Sequence, residues 1–455
     1  MFQLGHIDIE RVRELKAEEN RRFVAERPRS TALLERAHHS MPRGVPTSWM
    51  DDLWDHPPMW VVEGHGPRFT DVDGHEYLDM NIADASAFCG YAPTPLADAV
   101  KKQMERGNQF LLPDENAVWV AEHLAGRYGL PKWQFTLSAT QANTEVIRLA
   151  RVATGRDTVL LFDGKYHGHL EETLVVQKDG RVEPEMLGLP PWVSKQAKIT
   201  QFNDVDSLQN ALAPKDVALV LTEPAMTNAG IIRPQPGFHK ALREITRSTE
   251  TLLAMDETHT LISAYGGLTR EWGLEPDFLT VGKSIAGGVP LACYGMTNEL
   301  AELLAPPEEP WASGGEAVGE IATGGTLFGN ALSMAAGKAA LELILTEEAF
   351  ERTIALGHQL AEGIARVIYK AGLPWSVSDL YAHSAYVFAP NQPLNANDYR
   401  ESDVPELRAF MRLYMANRGV WEAGWWRGPA VSVAHTSDDV DLYIGVLEDV
   451  LARIT

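Results

Sequence analysis

A chain of 455 residues, 45% hydrophobic and 22% charged, is long enough to bury a large core and lies in the ordinary range of folded globular proteins. Its 40 basic residues stand against 62 acidic ones, a formal charge of −22, which disfavours a nucleic-acid partner because phosphate backbones are bound through Lys and Arg. Two cysteines, Cys89 and Cys293, exclude a disulfide framework or a cysteine-based zinc site, and no charge-free apolar run is long enough to cross a bilayer.

The first 22 residues mix Asp8, Glu10, Glu14, Glu18 and Glu19 with basic residues and lack the apolar stretch of a secretory signal, so a cytoplasmic location with no membrane partner is expected. Next, the segments Trp60-Val61-Val62 and Arg68-Phe69-Thr70-Asp71 surround Gly64 and Gly66 and lead into Asp73-Gly74, a strong turn signal; they predict an antiparallel meander. From about Phe135 to Gly295, short β-branched and aliphatic runs alternate with helical patterns. Strands are expected over 134–137, 158–162, 217–222, 252–255, 278–281 and 291–294. The uninterrupted apolar run over 217–221 is the mark of a strand buried on both faces, which points to a largely parallel sheet. Over 237–248, Phe238, Leu242 and Ile245 recur at helical spacing, as a crossover helix requires. Beyond Gly329 the pattern changes to helices over 331–345 and 350–371, and the end of the chain mixes short strands with the segment 440–454. The division expected is 1–85 as an N-terminal segment joined to a small domain, 86–335 as the large α/β domain, and 336–455 as the small α+β domain.

Chemistry concentrates where these strands end. The strand over 252–255 runs into Asp256 and Glu257, and ligands of open α/β sheets collect beyond the carboxyl ends of strands. Alone, a strand-terminal Asp is more commonly a helix cap or turn former. Lys283 follows the next strand and is flanked by Gly282, Ser284, Gly287 and Gly288, a setting in which a lysine loses water and favours the neutral amine that captures an aldehyde. The alternative is a surface lysine in a Gly-rich turn; the pairing with Asp256 favours a cofactor clamp. Ser138, Ala139, Thr140 and Gln141 stand between a strand and a helix, where amides and hydroxyls hold an anion such as the phosphate of pyridoxal phosphate. Ordinary helix capping by Ser138 or Thr140 is the competing reading. Tyr166-His167-Gly168 offers an aromatic face for a pyridine ring, although a tyrosine in a loop is as readily a packed edge residue. No spaced carboxylate or cysteine set accompanies the histidines, so no metal is expected.

With those residues in view, the chain from about Gly64 onward resembles the class III aminotransferases of fold type I, and among them the glutamate-1-semialdehyde aminomutase-like branch. The resemblance rests on the run from Arg148 through Gly155 to Tyr166-His167-Gly168, on Glu223-Pro224, Asp256-Glu257-Thr258, Gly282-Lys283 and Gly325-Thr326, and on Ala434-His435-Thr436. It implies a pyridoxal-phosphate-dependent α/β fold, with a mainly parallel sheet of seven strands in the large domain and a smaller α+β domain drawn from both termini. By the same resemblance Ser138, Ala139 and Thr140 hold the phosphate and Tyr166 stacks on the ring with His167 beside it. Asp256 pairs with the pyridine nitrogen and Lys283 forms the Schiff base and carries protons, while Glu223 and Thr258 lie in the cofactor region. Thr326 reaches the partner subunit's phosphate, which implies a homodimer.

Two departures bear on substrate. The branch commonly reads Asn-Ser-Gly-Thr-Glu-Ala at the phosphate loop, where this chain has Leu137-Ser138-Ala139-Thr140-Gln141-Ala142; the backbone amides survive the change. The branch's arginine for a substrate carboxylate falls near Met50, among Trp49, Trp54 and Trp60, which points to a bulkier or less acidic amine than glutamate semialdehyde. Arg427, after Trp425 and Trp426, is a candidate substitute fork or a surface salt bridge. The first reading is an aminotransferase acting on small amines or amino acids and keto acids. An aminomutase, racemase, epimerase or lyase on the same scaffold, and a catalytically inert relative, are the alternatives.

Overall fold

The computed structural model describes residues 7–52, 54, 56–304, 321–422 and 428–455. At its centre is a seven-stranded sheet whose strands are, in chain order, β1 (Lys132–Thr136), β2 (Thr158–Phe162), β3 (Ala197–Thr200), β4 (Val217–Thr222), β5 (Leu252–Asp256), β6 (Phe278–Val281) and β7 (Ala292–Met296). Across the sheet the order is β1-β7-β6-β5-β4-β2-β3. Only β7 is antiparallel to its neighbours, pairing Phe278 with Met296 on one side and Ala292 with Thr136 on the other. The sequence-predicted parallel sheet is therefore present with one reversed strand, which runs 292–296 rather than 291–294. Every residue of β4, β6 and β7 is buried, as expected for strands covered on both faces.

The helix Ala139–Thr154 starts at the end of β1 and packs Val146, Ile147, Leu149 and Ala150 onto the sheet. Ser138 is its N-cap, its Oγ accepting from the amide of Gln141 at 3.4 Å. The crossover helix Phe238–Ser248 buries Phe238, Leu242 and Thr246, close to the predicted apolar stripe.

A second sheet forms from the predicted meander. Val61–His65, Arg68–Asp71 and Glu76–Asp79 are antiparallel, and Val420–Trp421 adds to Glu76–Asp79 in parallel from the far end of the chain. Its turn is organised by the buried Asp71 carboxylate, which accepts from the amides of Asp73 and His75 at 3.0 and 2.9 Å and from the Tyr77 hydroxyl at 2.8 Å. The charge-rich helix Ile9–Ala25 buries Val12, Leu15 and Phe23 and packs on Pro405–Ala416.

After Asp79 the backbone does something unusual for L-residues. Ile82, Ala83, Asp84 and Ala85 have φ of 45°, 45°, 58° and 68°, four successive residues in the left-handed region, none of them glycine. Such residues cost roughly 1–2 kcal/mol each, so the turn must be held from outside. Asp79 does this: its carboxylate accepts from the amides of Asn81 and Ala83 at 2.9 and 3.0 Å and from the Tyr91 hydroxyl at 2.6 Å.

Candidate active site

Five of the parallel strands end at one edge of the sheet, and each delivers residues to the same place. Ser138, Ala139 and Thr140 follow β1, Tyr166 to Gly168 follow β2, Glu223 follows β4, Asp256 ends β5 with Thr258 and His259 just beyond it, and Lys283 follows β6. Because β7 is reversed, the residues before it, Val289 to Leu291, reach this edge too. All of them line one cavity of about 350 Å³, completed by Asp84, Ser86 and Trp49. Lys283 and Asp256, 27 positions apart in sequence, thus share a cavity at the ends of adjacent strands.

Asp256 is almost fully buried. Burial alone would raise its pKa, but its carboxylate accepts from His167 Nδ1 and Asn143 Nδ2, both at 2.9 Å, and from the Thr258 amide at 3.0 Å. These bonds hold it well below the usual carboxylate range, so it is a fixed anion. Asn143 also donates to the His167 carbonyl at 2.8 Å and so locks the loop after β2 to the helix after β1.

Lys283 also has positive φ, 49°, a strained conformation for a lysine. Burial lowers its pKa to about 7, with Asp256 and Glu223 opposing the shift. Its Nζ donates to the Asp84 carboxylate, a contact that also favours the charged form. Asp84 Oδ2 lies 3.8 Å from His259 Nε2, and His259 Nδ1 is 2.7 Å from Thr227 Oγ1, which in turn donates to Glu223. Burial raises Glu223 to about 8 and pushes His259 well below its ordinary value.

The helix start at Ala139 and Thr140 leaves its first-turn N–H groups without intrahelical partners, facing the cavity. Gly168 lies directly on this turn: a Cβ there would come within 2.4 Å of Thr140 Oγ1. Thr140 Oγ1 accepts from the His169 amide at 3.0 Å. The Thr258 hydroxyl, beside the buried carboxylate, is buried with no hydrogen-bond partner. A buried anion at one end, amides at another, a low-pKa amine and an unsatisfied hydroxyl together fit a compact group bearing a phosphate, a basic ring nitrogen and an aldehyde.

A model of the family described as "Aminotransferase class-III" matches residues 51–372. The chain belongs to the class-III aminotransferases. A glutamate-1-semialdehyde 2,1-aminomutase of Gemmatimonas aurantiaca is 33% identical over 431 residues, 93% of this chain and 96% of that one. Among solved structures, a glutamate-1-semialdehyde aminomutase of Pseudomonas aeruginosa superposes with a TM-score of 0.93 at 38% identity, covering 99% of this chain and 100% of that one. An omega-transaminase of Sphaerobacter thermophilus reaches 0.85 at 29% identity, covering 93% and 97%. The fold is thus that of the fold type I enzymes, and the cofactor class is pyridoxal phosphate.

The residues expected from sequence divide by location. Ser138, Ala139, Thr140, Tyr166, His167, Glu223, Asp256, Thr258 and Lys283 all line the cavity. Trp49 joins them, its ring 5.2 Å from that of Tyr166. Met50 and Trp54 do not: they line a separate apolar cavity with His56, Trp60, Tyr91 and Trp421. The short helix Trp49–Asp52 turns successive side chains apart, and Trp54 packs on Trp421 at 4.3 Å. Thr326 is exposed and outside the cavity; its carbonyl accepts from Gln109. Arg427, Trp425 and Trp426 lie outside the described residues.

Three residues of the site went unseen in the sequence, His259 and Asp84 on the cavity wall and Asn143 behind it. Asn143 carried a signal, a polar residue on the apolar stripe of its helix. His259 lies three places after Asp256. Asp84 carried none, because only the left-handed turn brings it in.

Proposed function

We propose that this protein is a pyridoxal-phosphate-dependent aminomutase, moving an amino group between neighbouring carbons of one small molecule. The observation that carries the reading is the shared cavity of Lys283 and Asp256, with the amine poised near neutrality and the carboxylate held ionised. The names of the relatives favour an amino shift over transfer to a second molecule.

Bound there, the cofactor supplies an electron sink for the carbon next to the reacting nitrogen. The amides of Ala139 and Thr140 and the Ser138 hydroxyl hold its phosphate, and Tyr166 covers its ring, backed by Trp49. Asp256, fixed by His167, Asn143 and Thr258, keeps the ring nitrogen protonated. Lys283 Nζ would hold the cofactor's aldehyde carbon and, when free, take up and return the proton of the substrate carbon that bears the reacting nitrogen. A pKa near 7 lets the same amine accept and release that proton at neutral pH. Glu223, with Thr227 and Asn228, steadies His259 on the cavity wall.

A homodimer belongs to this reading. Thr326 stands beside Leu327, and the contact of Gln109 with Thr326 brings in the exposed Phe110, Leu111 and Leu112; a second copy would cover these apolar side chains. The two free cysteines are buried, which suits a reducing cytoplasm.

The test is substrate conversion without an acceptor. Protein that converts glutamate 1-semialdehyde to its amino-shifted isomer with no keto acid present supports the aminomutase. The second reading, an aminotransferase, draws on the likeness to the omega-transaminase; strict dependence on added pyruvate or 2-oxoglutarate selects it. Protein that stays colourless with added pyridoxal phosphate refutes both.

A further inference from the structure

The cavity is unevenly charged. Among its described lining residues three acidic side chains, Asp84, Glu223 and Asp256, face a single lysine, and there is no arginine; Glu223, pushed up to about 8 by burial, is largely uncharged at neutral pH. Two of the three are held deep in the wall, Asp256 by His167, Asn143 and Thr258, and Glu223 by Thr227 and Asn228. Asp84 is different. Its side chain is 46% exposed and stands against Lys283 Nζ, the atom that marks where the reacting nitrogen of a substrate arrives. It is put there by the left-handed turn Ile82–Ala85 and its Asp79 clamp, a strained arrangement for L-residues.

This placement bears on what an amine entering the cavity can carry. An α-amino acid has its carboxylate on the same carbon as its amine, so when that nitrogen replaces Lys283 Nζ the carboxylate comes beside the Asp84 carboxylate. Like charges a few ångströms apart in a partly desolvated cavity repel strongly. A carbon bearing hydrogen, an aldehyde or an alkyl group meets no such penalty. Resting on the cofactor reading above, we infer that Asp84 is a specificity-determining residue that excludes a carboxylate from the reacting carbon. The substrates accepted are amines and amino aldehydes whose carboxylate, if any, lies further along the chain. Glutamate 1-semialdehyde is of this kind, since its carbon 1 is an aldehyde and its remaining carboxylate is at the distal end. The usual α-amino donors and α-keto acceptors of transamination are not.

Ethylamine and alanine differ by one carboxylate on the reacting carbon, and β-alanine moves that carboxylate one carbon out. Their dissociation constants from the cofactor-loaded protein are read from the absorbance change on mixing, without turnover. In the native protein alanine binds more weakly than ethylamine, with β-alanine between them. In Asp84→Asn the affinity ratio of alanine to ethylamine rises by about fivefold or more, whatever the absolute values, and β-alanine shifts less. Asp84→Ser serves as a second variant with a different shape. A smaller rise in both variants overturns the assignment. So does loss of cofactor binding in both, which would make Asp84 part of the turn's architecture instead. Native protein that takes up no pyridoxal phosphate refutes the cofactor reading itself, and that outcome is visible before any amine is added.

Discussion

Capture of pyridoxal phosphate by the apoprotein should follow the protonation of Lys283, and pH is the perturbation that exposes it. With a pKa of about 7, half of this amine is neutral at neutral pH. For an ordinary lysine the neutral fraction is only about one in three thousand. The capture rate, followed by rapid mixing at the absorbance of the lysine-bound cofactor, should climb about tenfold per pH unit below pH 7 and flatten above it. The Asp84 contact pulls the other way, toward the ammonium. The two side chains are 20% and 46% exposed, so solvent weakens the pair to roughly 1 kcal/mol, and Asp84→Asn should lower the inflection by up to about one pH unit. A native rate that keeps climbing toward pH 10 would refute the argument, because it would show that burial does not depress the amine.

Other consequences follow from the same geometry. Gly168→Ala sets a Cβ against Thr140 at a φ of +101°, so pyridoxal phosphate should bind at least about tenfold more weakly by equilibrium dialysis, with a lowered Tm. Asn143→Ala removes one hydrogen bond from Asp256 and another from the His167 carbonyl, a cost of about 1–3 kcal/mol; thermal melts of the apoprotein should show it. Glu223 has its folded pKa raised to about 8 from 4.5, so its contribution to stability is complete below 4.5 and lost as pH rises through 8. Denaturant titrations from pH 5 to 8 should therefore show the native apoprotein losing up to about 1.4 kcal/mol per pH unit relative to Glu223→Gln; parallel curves would contradict the burial argument.

Much of the sheet was legible because buried parallel strands must be aliphatic throughout, and 217–222 admits no other reading. The site was legible wherever it hangs directly from a strand end: Asp256, Lys283, Ser138 and Tyr166 each follow an apolar run within a few residues. The signal fails where position depends on tertiary clamps. Asp84 sits among small, ordinary residues, and its orientation comes from the Asp79 carboxylate and the Tyr91 hydroxyl. Met50 and Trp54 stand in sequence where the branch keeps its carboxylate-binding arginine, but in the fold they line a different cavity from Trp49. The helix Ile9–Ala25 hid behind its charges, showing only Val12, Leu15 and Phe23 to the interior. The reversed direction of β7 depends on the short connection from Lys283 back along the sheet, which composition does not encode.

The strand Val420–Trp421 lies beside Glu76–Asp79, the Trp421 carbonyl accepting from the amides of both Met80 and Asn81. During synthesis, more than 300 residues must emerge between these two partners, so the wall that carries Asp79 and the turn beyond it stays open-edged until translation is nearly finished. A ribosome-bound chain halted before residue 420 would have all seven strands of the large sheet, with Lys283 and Asp256 in place. It would still lack the last support beneath Asp84, and the ability to retain the cofactor would precede the ability to choose among amines.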